Sequence, residues 1–574
     1  MKVTIHFAGR PRAAHILFSA LLFFILCHQF FPQVCQNPVT ADANDPLYSE
    51  LDIWIAAGLI DEPFMLRPYS PEIIRQMLGN VIAHGTSKER TRAIALLSSI
   101  EDSYIQFGTK YDAKGLVSSG DSSEYFGGIA PSLRLGMKLG DGLWIGGKTG
   151  VLFADQVDAC APERLAAPFE RPEDDLINDG GRLPISGFNN SDFFCRLYVL
   201  SNVSYSRKNI WMQAGYTRSS YGPFFKNGIV IGSQAPAAPN WSIHMRFEDW
   251  RYSMQLMNLT KSALSAEAAT GGPDVDIVRG TDKFLMFHGF SWSPLPELDM
   301  GIFESVVWAD RFEPLYILPF ANYFALQSLT AFGDNSLAGI YVTFQLPLRT
   351  RAKVQLYIDD IDFNNYIKFN FDSKMLAAGE IGLDWAPDNT IFKLLSADYT
   401  IVAPYMYTHK YSGTAQDDYT QDGHCLGAEL LPNSNRLELR AELMPDILPQ
   451  ARVEAIARLV RHGNASDVYG GNGALFDNGW AGSLCSYNGD FDPGTVPKYF
   501  RFLSQSVIQN NWEAGVGASW NVNLGDQNLR EKNLGLHTLK FSARYLFAYI
   551  QNADLESGVN ECDHYFSIGA ELWP

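Results

Sequence analysis

The order of apolar and polar side chains along the chain changes its period near residue 104. Before this point, apolar residues recur every three or four positions, as on one face of an α-helix. After it, apolar and polar residues alternate, as in the stretch GIAPSLRLGMKLG at 128–140. Alternation is typical of β-strands that have one apolar and one polar face. The pattern predicts a short helical part followed by a long β part.

The helical part covers residues 44–103 and contains clear helix start signals. Ser70 precedes Pro71, which is the order of an N-cap residue and a proline at the first helical position. Thr86 and Glu89 have the spacing of a capping box. We predict about three helices that pack together or against the end of the β part. A structural cap explains them better than an active site.

The β part covers residues 104–574, and its connections alternate between short and long. Short turns such as GDG and ED fall at one end, and long insertions such as 154–192, 260–280 and 462–498 fall at the other. This separation is typical of outer-membrane barrels, which close because lipid cannot satisfy a free sheet edge. The predicted strands are 104–117, 124–139, 143–153, 193–206, 210–218, 241–247, 250–259, 281–293, 297–308, 336–348, 352–359, 377–387, 394–407, 425–443, 451–463, 505–523, 535–548 and 563–573.

The sequence therefore predicts a mainly β fold. It is an 18-stranded antiparallel transmembrane β-barrel with a small N-terminal helical segment in the periplasm. Residues 1–43 have the features of a secretory signal peptide, since cations precede an apolar run and Ala-Asp-Ala at 41–43 suits cleavage. A lipoprotein site at Cys27 is disfavoured by the bulky Leu26, and a retained inner-membrane helix by the shortness of the run. We expect the barrel in the outer membrane, with its long loops at the cell surface.

Charge and cysteine content limit the functions that the chain can have. The net charge of −18 disfavours nonspecific binding of nucleic acid, which requires clustered cations. The seven cysteines are widely spaced, which argues against a zinc cluster and against a complete disulfide framework. We expect no metal and no cofactor.

Candidate catalytic groups do not form a convincing set. A hydrolase needs a nucleophile, a base and an orienting group that converge in space. His244 and His288 lie in strands far apart in order, without a serine elbow, and we interpret both as lumen or structural histidines. Asp359 and Asp360 could form an acid/base pair or bind a cation, but a solvated strand end is the simpler interpretation. No enzymatic activity is predicted.

The long insertion at 462–498 combines aromatic residues with Asn and Asp. Sugars present apolar CH faces and many hydroxyls, so aromatic platforms beside polar groups suit glycan binding. A compact loop packed by its own aromatic side chains is an equally good explanation. The candidate glycan-binding residues are Tyr469, Phe476, Asp477, Trp480 and Tyr487.

The order of these features resembles the Wzi-type capsule assembly family of outer-membrane proteins. The resemblance runs from the helical part to about residue 443, and Phe224 departs from it where a second small residue would follow Gly-Pro. It implies an 18-stranded barrel that acts as a surface lectin for capsular polysaccharide. The matching positions are Gly215, Arg218, Gly222 and Pro223, then His288, Gly301 and Glu304, then Glu313, Pro314, Tyr316 and Pro319, then Asp359 and Asp360, and the segment GHCLGAELLPNSNRLELRAEL.

The resemblance also suggests a place for AGYTRSSYGPFFKNGIVIGSQAPAAP, residues 214–239, which begins like a strand and then loses the alternation. Irregular backbone at membrane depth is tolerated only where protein or water surrounds it. We therefore predict that this segment folds into the lumen and narrows or plugs the pore. Its candidate functional residues are Arg218, Gly222, Pro223 and Lys226.

Taken together, these features predict a nonenzymatic outer-membrane surface protein that binds capsular-type polysaccharide. The alternative is a porin or transporter for small hydrophilic solutes, which an open lumen would favour. The expected partners are surface polysaccharide, outer-membrane lipid and the barrel insertion machinery, without nucleic acid. We expect a monomer.

Overall fold

Eighteen antiparallel strands form the wall of a closed barrel, and each pairs with its neighbours along the chain. The ring closes between the last strand and the first, where Thr109 lies opposite Leu572. The predicted fold class is confirmed. The wall strands β1 to β18 are Ser103–Ser118, Glu124–Gly140, Leu143–Asp155, Phe194–Arg207, Ile210–Thr217, Ala238–Phe247, Trp250–Leu264, Val275–Leu295, Leu298–Trp308, Asn335–Leu346, Thr350–Ile361, Met375–Trp385, Phe392–Val402, Ser434–Leu443, Ala451–Gly463, Ile508–Asn523, Thr538–Gln551 and Asn560–Trp573.

This computed structural model describes most of the chain after the predicted leader. Its described residues are 40–573, apart from 62, 121–123, 156–193, 225, 265–274, 331, 362–366, 369–374, 389, 405, 408–416, 422–423, 446–447, 449, 464–501, 504–506 and 524–537.

The alternation sorts the wall into an apolar outer face and a polar inner face. In β2, Leu135 is 38% exposed on the outside, whereas its neighbour Arg134 is buried inside with its guanidinium 3.8 Å from the Trp573 ring. A soluble protein has the opposite arrangement, so an apolar exterior of this kind suits contact with lipid. Other exposed outer residues include Ile105, Tyr111, Met137, Val199, Met212, Ile302, Ile340, Val354, Ile381, Leu439, Val516, Tyr545 and Ile568.

An arginine on the outer face is expected to destabilise the barrel strongly. Ile340 is 51% exposed and lies in the middle of β10, so Ile340→Arg should cost about 2–4 kcal/mol because the charge would sit in the hydrocarbon. Ser542→Glu is the control for a charge on the inner face, since Ser542 lines the lumen among basic side chains and should tolerate a carboxylate. Urea unfolding in lipid vesicles measures both. Equal losses from the two variants would show that the outer face does not contact lipid.

Three helices pack at the end of the barrel where the strand connections are short. They are α1 (Leu47–Ala56), α2 (Pro71–His84) and α3 (Ser87–Ser99). Ser70 accepts a hydrogen bond from the Ile73 amide at 3.4 Å, and Thr86 and Glu89 form the predicted capping box. None of the helices among the described residues is long and apolar enough to cross a membrane.

Side chains of the barrel end hold the helices in place. The amide of Gln345 donates to the Ala56 carbonyl at 3.0 Å, at the C-terminal end of α1. Trp211 stacks on His244 with 3.8 Å between ring centroids, and Phe64 packs edge-on against both. His244 thus lies on the inner face of the wall beneath the helical segment.

Residues 40–43 also enter the barrel. The Asn202 amide donates to the Thr40 carbonyl at 3.1 Å, and the Ala43 amide donates to the Arg218 carbonyl at 3.1 Å. Cleavage after Ala43 would remove both contacts, and cleavage before Thr40 would keep both. The signal-peptide boundary at residue 43 stays a prediction, and residues 1–39 lie outside the described part of the chain.

Two predicted strands, 394–407 and 425–443, are wrong in length. β13 ends at Val402 and β14 begins at Ser434, and the described residues between 403 and 433 lie inside the barrel. Tyr407 has φ +71°, which is incompatible with a strand. Apolar residues that pack inside a filled lumen continue the apolar and polar alternation of the wall strands. The two strands were therefore predicted to be longer than they are.

Candidate functional site

Residues 218–237, which connect β5 to β6, form the first lumen segment. Ile229 and Ile231 in this segment are fully buried and pack with Phe287 and Phe303, whose side chains project inward from β8 and β9. An apolar core therefore fills the barrel on the side of strands β7 to β13. The structure places all four candidate residues of the 214–239 stretch inside the barrel, namely Arg218, Gly222, Pro223 and Lys226.

Gly222 sits at a position that requires glycine. Its φ is +121°, and a Cβ there would lie 2.7 Å from the Gln355 side-chain oxygen. Its amide donates to the Met65 carbonyl at 3.1 Å, and Pro223 follows as a buried residue. The Gly-Pro pair thus turns the first lumen segment between the helical segment and the wall.

Phe224, where the chain departs from the family pattern, is also buried. The Lys353 ammonium lies 4.5 Å from the centre of its ring. Gly382 makes room for the ring, because a Cβ at that glycine would approach the ring to 2.9 Å. The larger residue is therefore accommodated by a glycine in the facing strand.

The two cations of the first lumen segment pair with carboxylates. The Arg218 guanidinium lies 3.4 Å from Asp42. The Lys226 ammonium lies 2.9 Å from Glu442 and 3.9 Å from Glu454 of the wall. These pairs fasten the segment to the N-terminal residues on one side and to β14 and β15 on the other.

The described residues between 403 and 433 form the second lumen segment, which is hydrogen-bonded to the first. The Tyr407 hydroxyl donates to the Ile229 carbonyl at 2.6 Å, and the Tyr419 hydroxyl donates to the Val230 carbonyl at 2.9 Å. Asp359 of β11 accepts a hydrogen bond from the Tyr407 amide at 3.0 Å. Asp359 is therefore buried and holds the lumen segments, rather than lying at a solvated strand end as the sequence suggested. The backbone of Asp360 belongs to β11, and its side chain lies outside the described residues.

A buried ion pair links the second lumen segment to β8. The Lys283 ammonium lies 3.1 Å from the Asp418 carboxylate and donates to the Thr420 carbonyl at 3.2 Å. Burial raises the pKa of the neighbouring Asp417 carboxyl to about 7, with Asp334 adding to the rise and Lys283 opposing it. The Asp417 carboxyl is therefore protonated more readily than an exposed aspartate.

The opposite side of the lumen contains a cavity of about 230 Å³. Among the described residues, eleven basic and six acidic ones line it, although the whole chain has a net charge of −18. Serine hydroxyls line it too, from Ser519, Ser542 and Ser567. The basic residues are Arg67, Lys110, Lys114, Arg134, Lys148, Arg218, Lys226, Arg440, Arg458, Lys540 and Arg544, and the acidic ones are Asp42, Asp45, Asp52, Asp112, Glu429 and Glu571.

Residues 309–330, between β9 and β10, form an external segment that covers the outside of the barrel. Its Tyr316 and Tyr323 are buried against outward side chains of the wall, including Tyr252 and Trp308. Its own outer surface is apolar, and Phe320 is 63% exposed. The segment therefore packs on the outside of the wall and presents an apolar surface that suits contact with lipid. Its other exposed apolar residues are Phe312, Leu315, Leu318, Phe324 and Leu329.

Glu304, which faces outward from β9, anchors the external segment. It accepts hydrogen bonds from the Tyr323 amide at 2.8 Å and the Asn322 side chain at 2.6 Å. Asn322 in turn caps the helix α4 (Tyr323–Thr330) by accepting from the Ala325 amide at 2.7 Å. Glu304 thus satisfies backbone and side-chain donors that lipid could not satisfy.

His288 lies beside Glu304, with 3.9 Å between its Nε2 and the carboxylate, and its ring stacks on Tyr323. It projects outward from β8 and packs against the external segment. Of the two expected places, lumen or structural, His244 therefore has the first and His288 the second. Its neighbours on the same face of β8 are the apolar residues Met286 and Phe290. The alternation in the sequence alone could therefore have shown that His288 faces outward. Because the two histidines lie on opposite faces of the wall, they cannot belong to one catalytic site.

The remaining family-motif positions shape the start of the external segment. Glu313 accepts from the Leu315 amide at 3.1 Å and begins the turn Pro314–Ile317. The Tyr316 hydroxyl donates to Asp334 at 2.6 Å. Pro319 lies in the next turn, before α4. The structure therefore brings His288, Glu304, Glu313, Tyr316 and Pro319 together in one place that the sequence did not connect.

Replacing Glu304 is expected to release the external segment. Glu304→Leu leaves the Tyr323 amide without its acceptor at membrane depth, so we expect a loss of about 1.5–3 kcal/mol. Glu304→Gln retains an acceptor oxygen and should lose less. Urea unfolding and chymotrypsin cleavage at the exposed Phe320 measure the effect in lipid vesicles. If Glu304→Leu is as stable and as protease-resistant as the unchanged protein, Glu304 is not the anchor.

The candidate glycan-binding residues Tyr469, Phe476, Asp477, Trp480 and Tyr487 lie outside the described residues. Within the described ranges, no group of three or more His, Cys, Asp or Glu side chains is arranged to hold a metal ion.

Comparison with known proteins shows the fold. No protein-family model and no curated protein matches the chain. The chain is similar to Wzi of Escherichia coli, described as a carbohydrate-binding barrel involved in group 1 capsule assembly, with 13% identity and a TM-score of 0.53 over 93% of this chain and 99% of that one. The chain also matches Pseudomonas aeruginosa OccK8 (OprE), with 10% identity and a TM-score of 0.41 over 83% and 99%. Acinetobacter baumannii OccAB2 matches with 11% identity and a TM-score of 0.41 over 82% and 98%. The predicted resemblance to the Wzi fold is confirmed.

Proposed function

We propose that the protein resides in the outer membrane and binds surface polysaccharide of the capsular type, without enzymatic activity. The observation that carries this proposal is the filled lumen. Two long segments are hydrogen-bonded to each other and to the wall through Tyr407, Tyr419 and Asp359. A barrel used only for diffusion gains nothing from such a core, whereas a barrel that presents a fixed binding surface gains rigidity. The carbohydrate-binding Wzi has the same fold, which supports the proposal.

In this proposal the helical segment lies in the periplasm and the long loops lie at the cell surface. The helices pack at the end with short turns, and the long insertions leave the other end, which is the usual orientation of bacterial barrels. Glycan contact is assigned to the insertion at 462–498, with Trp480 and Tyr487 as the principal aromatic platforms. The barrel inserts through the barrel insertion machinery and acts as a monomer.

A second candidate function is a porin for small anionic solutes. The observation that favours it is the cavity of about 230 Å³, in which basic residues outnumber acidic ones. A continuous path through this cavity would give ionic conductance with a preference for anions. Polysaccharide binding does not require such a path.

A binding experiment separates the two functions. The full-length protein in nanodiscs is titrated with purified surface polysaccharide of the producing cell, and Trp480→Ala with Tyr487→Ala should lower the affinity about tenfold. Trp512→Ala is the matched control, because Trp512 is 53% exposed on the outer wall and should leave binding unchanged. Absence of binding together with steady ionic conductance would favour the porin.

A further inference from the structure

A row of polar side chains crosses the outer face of β14 to β18, at the end of the barrel opposite the helical segment. Its members lie opposite one another in register across the five strands. They belong to the outward set of the alternation, because Leu437 and Trp512, two positions away in the same strands, are exposed on the outside. We define this polar row as Asn435, Arg461, Asn510, Gln551 and Asn560.

An apolar row lies two residues farther into the wall on the same outer face. It consists of Tyr399, Leu437, Leu459, Trp512 and Tyr549, which are again in register across neighbouring strands. Tyrosine and tryptophan are enriched where the hydrocarbon of a membrane meets the headgroups. Because the polar row follows directly after this apolar row, it lies at the level of the lipid headgroups.

The polar row is confined to one side of the barrel. In β1 and β4 the outward face stays apolar near the same end, where Val117 and Leu197 are exposed. A general preference for polar residues at strand ends would distribute amides around the whole rim. Their concentration on β14 to β18 therefore indicates a local contact.

The side chains of the polar row present hydrogen-bond donors to the outside. Arg461 Nε donates to the Asn435 side-chain oxygen at 3.0 Å, and Asn435 donates to the Tyr399 hydroxyl at 2.8 Å, so the guanidinium is held in place. Among the described residues, Arg461 forms no ion pair, and the side-chain nitrogens of the exposed Gln551 and Asn560 donate to no protein acceptor. Donors at the edge of the hydrocarbon need acceptors from outside the protein.

The chemistry of the polar row indicates which headgroup fits. The row contains no carboxylate, since Glu561 and Asp563 of β18 belong to the inward set. Asp554 and Glu556 lie beyond the row, in the turn between β17 and β18. A guanidinium binds phosphate through two parallel hydrogen bonds, and amides pair with sugar hydroxyls as donors and as acceptors. A phosphorylated sugar offers both kinds of partner, whereas phosphatidylethanolamine offers one phosphate and a cationic amine.

We propose that the polar row binds the phosphorylated sugar headgroup of an outer-leaflet glycolipid such as lipid A, whose acyl chains lie along the apolar row. The proposal rests on the orientation given under the proposed function, which places this end of the barrel at the cell surface, and does not require polysaccharide binding. The bound headgroup supplies acceptors for the donors of the row and fixes the height of the barrel in the outer leaflet.

Native mass spectrometry of the full-length protein in detergent micelles tests the proposal, with titration by lipid A and, separately, by phosphatidylethanolamine. Lipid A should bind about tenfold more tightly. Arg461→Gln should lower the affinity for lipid A about tenfold, and Arg461→Lys should retain most of it because the positive charge remains. The double variant Gln551→Ala, Asn560→Ala should lower it about fivefold. Asn209→Ala, in an exposed short turn at the other end of the barrel, is the matched control and should have no effect.

Each outcome supports or overturns the proposal. Equal affinity for the two lipids overturns it, as does an unchanged affinity for lipid A in Arg461→Gln or in the double variant. If Arg461→Gln does not fold, the double variant decides. Displacement of lipid A by purified surface polysaccharide would assign the row to the polysaccharide and overturn the proposal. Lipid A binding without polysaccharide binding would support the polar row and contradict the proposed function, and polysaccharide binding without a preference for lipid A would do the reverse.

Discussion

Deletion of residues 221–236 is expected to turn a barrel with little conductance into one with a large single-channel conductance. These residues supply Ile229, Val230 and Ile231, which form part of the apolar core of the lumen. Thr217 and Ala238 are paired neighbours in β5 and β6, so a short turn can reconnect the strands after the deletion. The deletion therefore removes part of the apolar core of the lumen and leaves the hydrogen bonds between the wall strands in place. Planar bilayer recording of both proteins measures the change.

Folding of the deletion variant is checked by heat-dependent migration on gels, which distinguishes a closed barrel from an unfolded chain. The deletion also removes partners of Tyr407 and Tyr419 in the second lumen segment, which should then fluctuate and give noisy rather than blocked currents. A large, steady current from the intact protein would contradict the account, because it would mean that the lumen segments leave an open path.

Glu438→Ala is expected to cause the largest loss of stability among single substitutions. Only 2% of the Glu438 side chain is exposed, and it lies among three arginines of β14 and β15. Arg458 donates to it at 2.6 Å and Arg440 at 3.0 Å, while Arg436 lies 3.9 Å away. Removing the carboxylate leaves buried guanidinium groups without compensation, so we expect a loss of about 3–5 kcal/mol.

Two further variants isolate the cause of this loss. Glu438→Gln keeps an acceptor but removes the charge, and its cost should lie between those of Glu438→Ala and the unchanged protein. Glu556→Ala removes an exposed carboxylate from the turn before β18 and should change stability by less than about 0.5 kcal/mol. Glu438 also accepts from Asn227 at 3.2 Å, so Glu438→Ala should loosen the first lumen segment as well. Equal stability of Glu438→Ala and Glu556→Ala in urea would show that the arginines do not need this carboxylate.

The sequence predicted the wall well because a barrel wall repeats one simple rule. Outward residues such as Leu135 meet lipid and inward residues such as Arg134 meet the lumen, so alternation marks each strand. The rule failed at 394–407 because the lumen here is filled with protein. Tyr407 is apolar enough to continue the pattern, yet its side chain packs against the first lumen segment rather than the wall.

The external segment could have been partly predicted. Glu304 falls between Ile302 and Val306 on the apolar face of β9, and a carboxylate on a lipid-facing surface needs a partner. The position of Glu304 on the apolar face indicates that the outer face of β9 is unusual. It does not show which residues cover this face. The covering residues are apolar on both sides, and their sequence resembles that of an ordinary loop with helical turns.

The cavity could not be predicted, because the set of residues that line it depends on how the barrel strands are paired. Lys110 and Lys540 are far apart in the chain and meet only because both lie opposite Glu571. Alternation assigns each of them to an inner face, but only the closure of the barrel places β17, β18 and β1 side by side. The polar faces of separate strands therefore combine to line a cavity that no single strand could form.

The most direct test of the account measures where surface polysaccharide is found in cells with and without the protein. Cells of the producing strain are compared with cells that lack the gene, and the cell-bound and released fractions of the polysaccharide are quantified. The account predicts that total polysaccharide stays the same while much of it moves from the cell surface to the medium, and that the intact gene restores it. An unchanged distribution, combined with slower uptake of small anionic solutes in the cells that lack the gene, would contradict polysaccharide binding and identify the protein as a porin.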